Sequence, residues 1–157
     1  MEKIKFYRKI SNQINLYFNK VNNPILLIDG ARQIGKTFII SNLGKEKFEN
    51  YVEINLANDF IDKKYFASIA TVDDFYNQLT ALYGNKLGNA ENTLIFLDEI
   101  QVYPNLLTLL KSLRADNRYR YICSGPNLGI DFLVDDYDNL CPLPIEVKSG
   151  KDFMKYQ

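Results

Sequence analysis

Short apolar runs alternate along the chain with longer stretches in which apolar residues recur at helical spacing. The short runs predict buried strands because they are rich in aliphatic, β-branched and aromatic residues and are bounded by polar turns; they occupy 25–28, 51–56, 93–97 and 119–124. The longer stretches predict helices at 1–23, 36–43, 71–84 and 104–115. Strands that alternate with helices are typical of an α/β fold with a mostly parallel sheet, whose ligands bind at the carboxyl ends of the strands.

Residues with strong cap or turn preferences indicate where the helices begin and end. A capping box, [ST]-x-x-[DE], starts at Thr71, and Pro104 suits the first position of the next helix. Gly44 is expected to end the second helix. Residues 57–70 are predicted to be irregular, with aromatic anchors, and the glycine-bearing segment 84–92 to be a surface loop.

The 157-residue chain is long enough for one domain with a modest core, and its 19 basic residues balance its 19 acidic ones. Balanced charge gives no global reason to expect nucleic acid or an anionic membrane as partner, although it leaves room for a local patch. The N-terminal stretch therefore favours a packing helix over a membrane-surface helix. Because no apolar run approaches transmembrane length and no signal core is present, we expect no membrane and a cytoplasmic location.

Histidine is absent, which excludes histidine-based catalysis and histidine metal sites. The two cysteines, Cys123 and Cys141, form no metal motif and imply no disulfide. Cys123 lies in an apolar run, where a small core residue is expected. A reducing cytosol fits this use of cysteine.

The segment after the first predicted strand, GARQIGKT at 30–37, fits the P-loop pattern G-x-x-x-x-G-K-[ST]. Its glycines let the backbone approach a phosphate, and its N–H groups point at that phosphate beside the positive end of a helix. Lys36 is expected to reach the β- and γ-phosphates and Thr37 to ligate Mg²⁺. A chance match in a glycine-containing turn is the alternative; the strand before the loop and the helix after it favour phosphate binding. The predicted nucleotide-binding residues are Gly30, Ala31, Arg32, Gln33, Ile34, Gly35, Lys36, Thr37 and Phe38.

Polar side chains end two further predicted strands. In a P-loop NTPase, an Asp at a strand end holds Mg²⁺ and its waters and a following Glu activates the attacking water, so we assign these roles to Asp98 and Glu99. A strand end that simply enters a polar turn is the alternative. After the fourth strand, Ser124 is the first choice and Asn127 the second for a side chain that senses the γ-phosphate, and an ordinary Ser-Gly turn is an equal alternative.

Three segments together resemble one family: GARQIGKT, LIFLDEIQ followed by YPNLLTLLKSL, and YICSGPNLG. They are similar to the prokaryotic AAA+-type ATPases that carry a C-terminal nuclease-like domain, known as AAA_14 with DUF4143, over approximately residues 1–130. The resemblance implies a three-layer P-loop NTPase core at 1–129 that binds ATP and Mg²⁺. It also implies Lys36 and Thr37 as nucleotide and Mg²⁺ residues, Asp98 as the metal acid and Glu99 as the catalytic base.

The remaining residues, 130–157, resemble the end of that family's C-terminal domain. Asp131, Glu146 and Lys148 fit the D…E-x-K arrangement of the PD-(D/E)xK nucleases, on the two strands of an expected C-terminal β-hairpin. The two acids could share a divalent ion, and alternation puts Glu146 and Lys148 on one strand face, where Lys148 could orient water. An ordinary charged hairpin is the alternative, because E-x-K is a short motif.

Compared with the family pattern, the chain is short between Asn127 and Asp131. The fifth strand, the helical lid and most of the C-terminal domain are missing there, and no arginine finger can be assigned. We therefore expect weak ATP binding and slow turnover, and we hypothesise that 130–148 docks on the sheet in place of lost strands. Two other functions stay open: a nucleotide- or partner-binding module without turnover, and metal-dependent DNA cleavage by the C-terminal residues.

Overall fold

A computed structural model describes residues 2–21, 25–30, 35–126, 128 and 140–145, with side-chain surroundings from residue 9 onward outside 140–145. Its five strands form one sheet in the order β2-β3-β4-β1-β5, and every pairing is parallel. The strands are β1 (Ile25–Gly30), β2 (Asn50–Asn55), β3 (Thr93–Asp98), β4 (Arg120–Gly125) and β5 (Leu140–Ile145). The α-helices of the described residues are α1 (Glu2–Phe18), α2 (Lys36–Lys47), α3 (Leu56–Asp62), α4 (Val72–Tyr83) and α5 (Pro104–Asp116). The predicted α/β fold with a parallel sheet is confirmed.

Alternation along β1 divides the core into two halves. Ile25 and Leu27 join the apolar cluster that α3, α4 and α5 cover, whereas Leu26 and Ile28 join the cluster that α1 and α2 cover. All four side chains are buried. A strand that is covered on both faces needs apolar residues at every position, which explains why this strand is an unbroken apolar run.

Helix α1 packs against the sheet, as predicted. Its residues Ile10, Ile14, Tyr17 and Phe18 are buried in the cluster shared with α2. Among the described residues, no helix combines the length and apolar character needed to cross a membrane.

The predicted starts of two later helices, α4 and α5, are also confirmed. Thr71 and Asp74 form a capping box at the start of α4, and Pro104 opens α5.

The prediction that Gly44 ends the second helix is wrong, because α2 continues to Lys47. Gly44 is buried inside the helix, and a Cβ there would lie 2.7 Å from the ring of Tyr51 and 3.0 Å from the side chain of Leu94. The glycine therefore serves close packing of α2 on the sheet rather than termination. Lys45 and Lys47 in the last turn complement the negative end of the helix.

The prediction of irregular structure over 57–70 is wrong at its start, where α3 forms. Asn55 ends β2 and caps α3, since its side chain accepts hydrogen bonds from the N–H groups of Ala57 (3.0 Å) and Asn58 (3.2 Å). One residue thus closes a strand and opens a helix, so the strand ends one position earlier than the predicted 51–56. The predicted surface loop 84–92 is mostly exposed and contains two 3₁₀ turns.

The C-terminal segment docks on the sheet, as hypothesised, through β5. This strand pairs in parallel with β1 from Ile25↔Leu140 to Gly30↔Ile145. Its described partner is therefore β1 rather than the second arm of a hairpin, and the arm expected near Asp131 lies outside the described residues. The division into domains at 1–129 and 130–157 stays a prediction.

Candidate active site

The carboxyl ends of β1, β3 and β4 meet at one edge of the sheet because all three strands run in parallel. The register puts Asp98 beside Ser124 and Ser124 beside Ile28, in one row. Strand β3 ends at this row, whereas β1 and β4 remain paired for one further position, Asp29 beside Gly125. The predicted metal acid and the predicted sensor are therefore neighbours in the fold, although 26 positions separate them in the chain.

Asp98 is the centre of a buried hydrogen-bond cluster. Its Oδ2 accepts a hydrogen bond from Thr37 Oγ1 at 2.7 Å, and its Oδ1 accepts one from Ser124 Oγ at 2.6 Å and one from the Glu99 N–H at 3.0 Å. Asp98 is 4% exposed and Ser124 is fully buried. A carboxylate is stable in such a position only when several donors satisfy it. Asp98 thus joins the start of α2 to the ends of β3 and β4.

The described end of the P-loop has the geometry expected before a helix. Gly35 precedes α2 with a φ of +87°, in the left-handed region, and among the described residues beyond its chain neighbours no heavy atom lies within 4 Å of the position that a Cβ would occupy. Lys36 is 5% exposed, and its Nζ donates to the carbonyl of Gly30 across the loop. Phe38, by contrast, is 66% exposed. The lysine head group is therefore held at the end of β1, on the residue that opens the P-loop motif.

Glu99 leaves the strand in an unusual backbone conformation. Its φ of 58° and ψ of 43° lie in the left-handed region, where a non-glycine residue costs free energy and which is found often at functional sites. A 3₁₀ turn (Ile100–Val102) follows directly. The Glu99 carboxylate is half-buried, and its Oε2 accepts a hydrogen bond from Gln101 Nε2 at 2.5 Å.

Two residues that the sequence reasoning did not select also contact this site. Gln101 binds Glu99, and Asp29 Oδ2 accepts a hydrogen bond at 3.3 Å from the N–H of Leu128, just beyond β4. Gln101 belongs to the DEIQ segment that carried the family resemblance, and Asp29 is the first polar residue after an apolar run. The motif and the end of the apolar run are visible in the sequence, but neither predicts which residue Gln101 or Asp29 contacts.

The oxygen donors at this edge of the sheet are few, as in a magnesium site that water and phosphate oxygens complete, rather than a site built from protein ligands alone. Among the described residues, no group of three or more His, Cys, Asp or Glu side chains could hold a metal. Mg²⁺ usually keeps several waters and takes one or two carboxylates together with phosphate oxygens. The Thr37 hydroxyl and the Asp98 carboxylate, 2.7 Å apart, match that donor set.

Several predicted site residues lie outside the described residues and stay predictions. They are Ala31, Arg32, Gln33, Ile34, Asn127, Asp131, Glu146 and Lys148. Cys123, in contrast, is fully buried as a free thiol, and burial raises its pKa. It is the small core residue that the sequence indicates, without a place in the chemistry.

Comparison with known proteins adds a family and a fold. The AAA_14 model, described as an AAA domain, matches residues 22–131. A closed-state cryo-EM structure of Hsp104 with ATPγS and FITC casein is 16% identical, with a TM-score of 0.54 over 90% of this chain and 27% of that one. The structure of C. elegans PCH-2 is 18% identical, with a TM-score of 0.47 over 89% of this chain and 41% of that one. The chain thus spans less than half the length of either protein, and no curated protein matches it.

Proposed function

We propose that this chain, which belongs to the AAA_14 family of AAA domains, binds ATP with Mg²⁺ at the 30–37 loop and hydrolyses it slowly. One observation carries the proposal: Asp98 accepts hydrogen bonds from both Thr37, in the first turn of the helix after the loop, and Ser124, at the end of the neighbouring strand. These are the positions at which a P-loop NTPase needs its hydroxyl ligand, its acid and a polar residue near the γ-phosphate.

Binding would rest on the start of α2. Lys36 Nζ, now on the Gly30 carbonyl, would turn to the β- and γ-phosphates, while the N–H groups at the helix start hold phosphate oxygens. Thr37 and Asp98 would hold Mg²⁺, which neutralises charge on the phosphates when it is bound.

Hydrolysis would rest on Glu99. Its carboxylate would accept the proton of the attacking water as general base. Ser124 is fully buried and donates to Asp98, so its first role would be to orient that carboxylate. A γ-phosphate-sensing role would require its hydroxyl to leave Asp98. Weak binding and slow turnover stay a prediction, which rests on the lack of an assignable lid or arginine finger among the described residues.

Calorimetric titration with Mg·ATPγS tests binding. We expect Lys36→Ala to weaken affinity by at least about tenfold, because a charge-assisted contact to phosphate is lost. Lys47→Ala is the matched control, since Lys47 is exposed in the last turn of the same helix. No binding by the wild-type chain, or equal binding by Lys36→Ala, would overturn the proposal.

Single-turnover phosphate release tests hydrolysis. We expect Glu99→Gln to lower the rate by at least about 100-fold, the usual contribution of a general base, with nucleotide affinity unchanged. Glu91→Gln, at an exposed glutamate just before β3, should leave the rate unchanged. Phosphate release that is equal in Glu99→Gln and wild type would favour a nucleotide-binding module without turnover.

A further inference from the structure

The side-chain amide of Gln101 uses its nitrogen in a hydrogen bond, whereas its oxygen has no partner among the described residues. Its Nε2 donates to Glu99 Oε2 at 2.5 Å. Its Oε1 is buried and has no hydrogen-bond partner among the described residues. The orientation of the amide follows from the chemistry of its neighbour, because an ionised carboxylate only accepts hydrogen bonds and must face the NH₂ group.

The backbone between the two residues fixes this contact. Glu99 adopts the left-handed conformation, and the following turn closes with hydrogen bonds from the Val102 N–H to the Glu99 carbonyl (3.2 Å) and from the Tyr103 N–H to the Ile100 carbonyl (3.1 Å). This tight turn returns the Gln101 side chain to the Glu99 carboxylate. The pair therefore forms within three residues, at the exit of β3.

The end of β4 makes room for the amide. A Cβ on Gly125 would collide with Gln101 Oε1 and would lie 3.1 Å from the side chain of Leu128. Gly125 directly follows Ser124, which donates to Asp98. The Gln101 amide thus lies between the ends of β3 and β4, next to the Asp98 cluster.

An apolar side chain would fill this position at lower cost to the fold. A buried carbonyl oxygen without a partner lowers stability, and Gln101 retains an oxygen that has none among the described residues. We propose that Gln101 is a positioning residue: its Nε2 holds the Glu99 carboxylate in the orientation that accepts a proton from the attacking water. This inference rests on the proposed hydrolysis, and its test has arms that do not depend on hydrolysis.

Gln101→Met separates positioning from support of the fold. It keeps the length of the side chain, removes the oxygen that has no partner among the described residues, and removes the Nε2 donor to Glu99. We expect single-turnover phosphate release to fall by about 10- to 100-fold, the usual effect of losing a group that orients a catalytic residue. Affinity for Mg·ATPγS should not change, and the melting temperature should stay the same or rise. Gln78→Met, on α4, is the control and should change none of the three.

Gln101→Glu sharpens the test because the new side chain has the same shape and cannot donate when ionised. It places a second carboxylate against Glu99, so we expect at least the loss seen for Gln101→Met. Unchanged phosphate release in both variants would overturn the inference. A lower melting temperature with a rate loss no larger than the loss of folded protein would also overturn it, since that result describes a structural residue.

The side-chain amide resonances of Gln101 report the contact without turnover. In ¹H–¹⁵N spectra of the nucleotide-free chain, Glu99→Ala should shift the Gln101 amide signals and leave those of Gln78 in place. Unchanged Gln101 signals would overturn the inference. If the wild-type chain releases no phosphate, hydrolysis as proposed fails, and these signals then decide by themselves whether Gln101 holds Glu99.

Discussion

Strand β4 carries a polar residue with long-range hydrogen bonds at each end, and the two ends use those bonds differently. At the amino end, the Arg120 guanidinium donates to the carbonyls of Tyr17 (3.1 Å), Phe18 (2.8 Å) and Lys20 (3.0 Å). At the carboxyl end, Ser124 donates to the Asp98 carboxylate, which also accepts from Thr37. The first set joins a side chain to backbone; the second joins side chains to one another.

At the amino end of β4, Arg120 caps the last turn of helix α1. The last carbonyls of a helix lack partners within the helix, and a cation at that end also complements the helix dipole. Arg120 meets both needs for α1 and ties this helix to the sheet. Burial lowers the pKa of Arg120; the three carbonyl contacts offset part of the cost of burying its charge.

The carboxyl end has the composition of a ligand site. Side chain–side chain hydrogen bonds are a small minority of those in proteins, yet two of them converge on Asp98. All three groups are able to contact a cation or phosphate through oxygen. The comparison teaches that burial and hydrogen bonding alone do not distinguish a structural contact from a candidate site, whereas a cluster of polar side chains that bind one another at the strand tips indicates one.

Replacing Asp98 should have the largest effect, and it should fall on function. We expect Asp98→Asn to lower phosphate release by at least about 100-fold, because the charge proposed to hold Mg²⁺ is lost. The amide still accepts from Ser124, so the free energy of unfolding should change by no more than about 1–2 kcal/mol. Asp73→Asn, at an exposed position on α4, is the control. If Asp98→Asn lowers stability and its folded fraction keeps the wild-type rate of phosphate release, the hydrogen bonds at both ends of β4 serve stability alone.

Replacing Arg120 should have the next largest effect, and it should fall on stability. Arg120→Ala removes the donors to three carbonyls at the end of α1, so we expect the free energy of unfolding in urea to drop by about 2–4 kcal/mol. The affinity of the folded protein for Mg·ATPγS should not change.

Arg118→Ala is the matched control for this prediction. Arg118 is exposed, lies 3.5 Å from the Asp116 carboxylate and stacks on the ring of Tyr76, so it should cost less than about 1 kcal/mol. An equal decrease in the free energy of unfolding for Arg120→Ala and Arg118→Ala would contradict the role of Arg120 as a cap of α1.

Sequence patterns predicted β1 to β4 and the long helices, because each strand carries an apolar run or an alternation and each helix carries helical spacing. The C-terminal strand was expected in a hairpin, whereas β5 pairs in parallel with β1. The patterns failed where a tertiary contact decides the structure. Gly44 resembles a helix stop. Its role is instead to leave space for the ring of Tyr51, which a side chain at position 44 would clash with. Helix α3 has seven residues, too few for its periodicity to stand out.

Motifs selected candidate residues that end strands or open helices, and the structure brings three of them, Thr37, Asp98 and Ser124, together because parallel strands have their tips at one edge. Gln101 was missed for a physical reason. Its contact depends on the left-handed backbone of Glu99, and no sequence pattern reports that conformation. Arg120 was missed as a cap because its partners lie about 100 positions earlier in the chain.

A third and smaller effect concerns backbone strain at Glu99, which follows the carboxyl end of β3 in the left-handed region. Glycine adopts the left-handed region freely, so Glu99→Gly should be more stable than Glu99→Ala by about 1 kcal/mol. Both variants lack the base and should lose turnover alike. Urea unfolding of the pair measures the strain directly.

Asn117 supplies the reference, with a φ of 55° at the end of α5. Asn117→Gly should exceed Asn117→Ala in stability by a similar amount, with turnover unchanged in both. If glycine gives no advantage at 99 but does at 117, the Glu99 backbone is not strained.

The smallest effect at neutral pH concerns Tyr121 in β4 and Tyr76 in α4, whose contribution to stability changes only at alkaline pH. Tyr121 donates to the Tyr76 hydroxyl at 3.0 Å, and burial raises the pKa of both phenols. An unfolded tyrosine has a pKa of about 10, so this contribution to stability is complete below that pH and is lost as the pH rises toward the folded-state values. We expect the melting temperature to fall steeply above pH 10, and to fall less steeply in the Tyr76→Phe/Tyr121→Phe double variant. Tyr65→Phe, at a position 42% exposed, should retain the wild-type slope; a double variant with that same slope would show that other groups cause the alkaline loss.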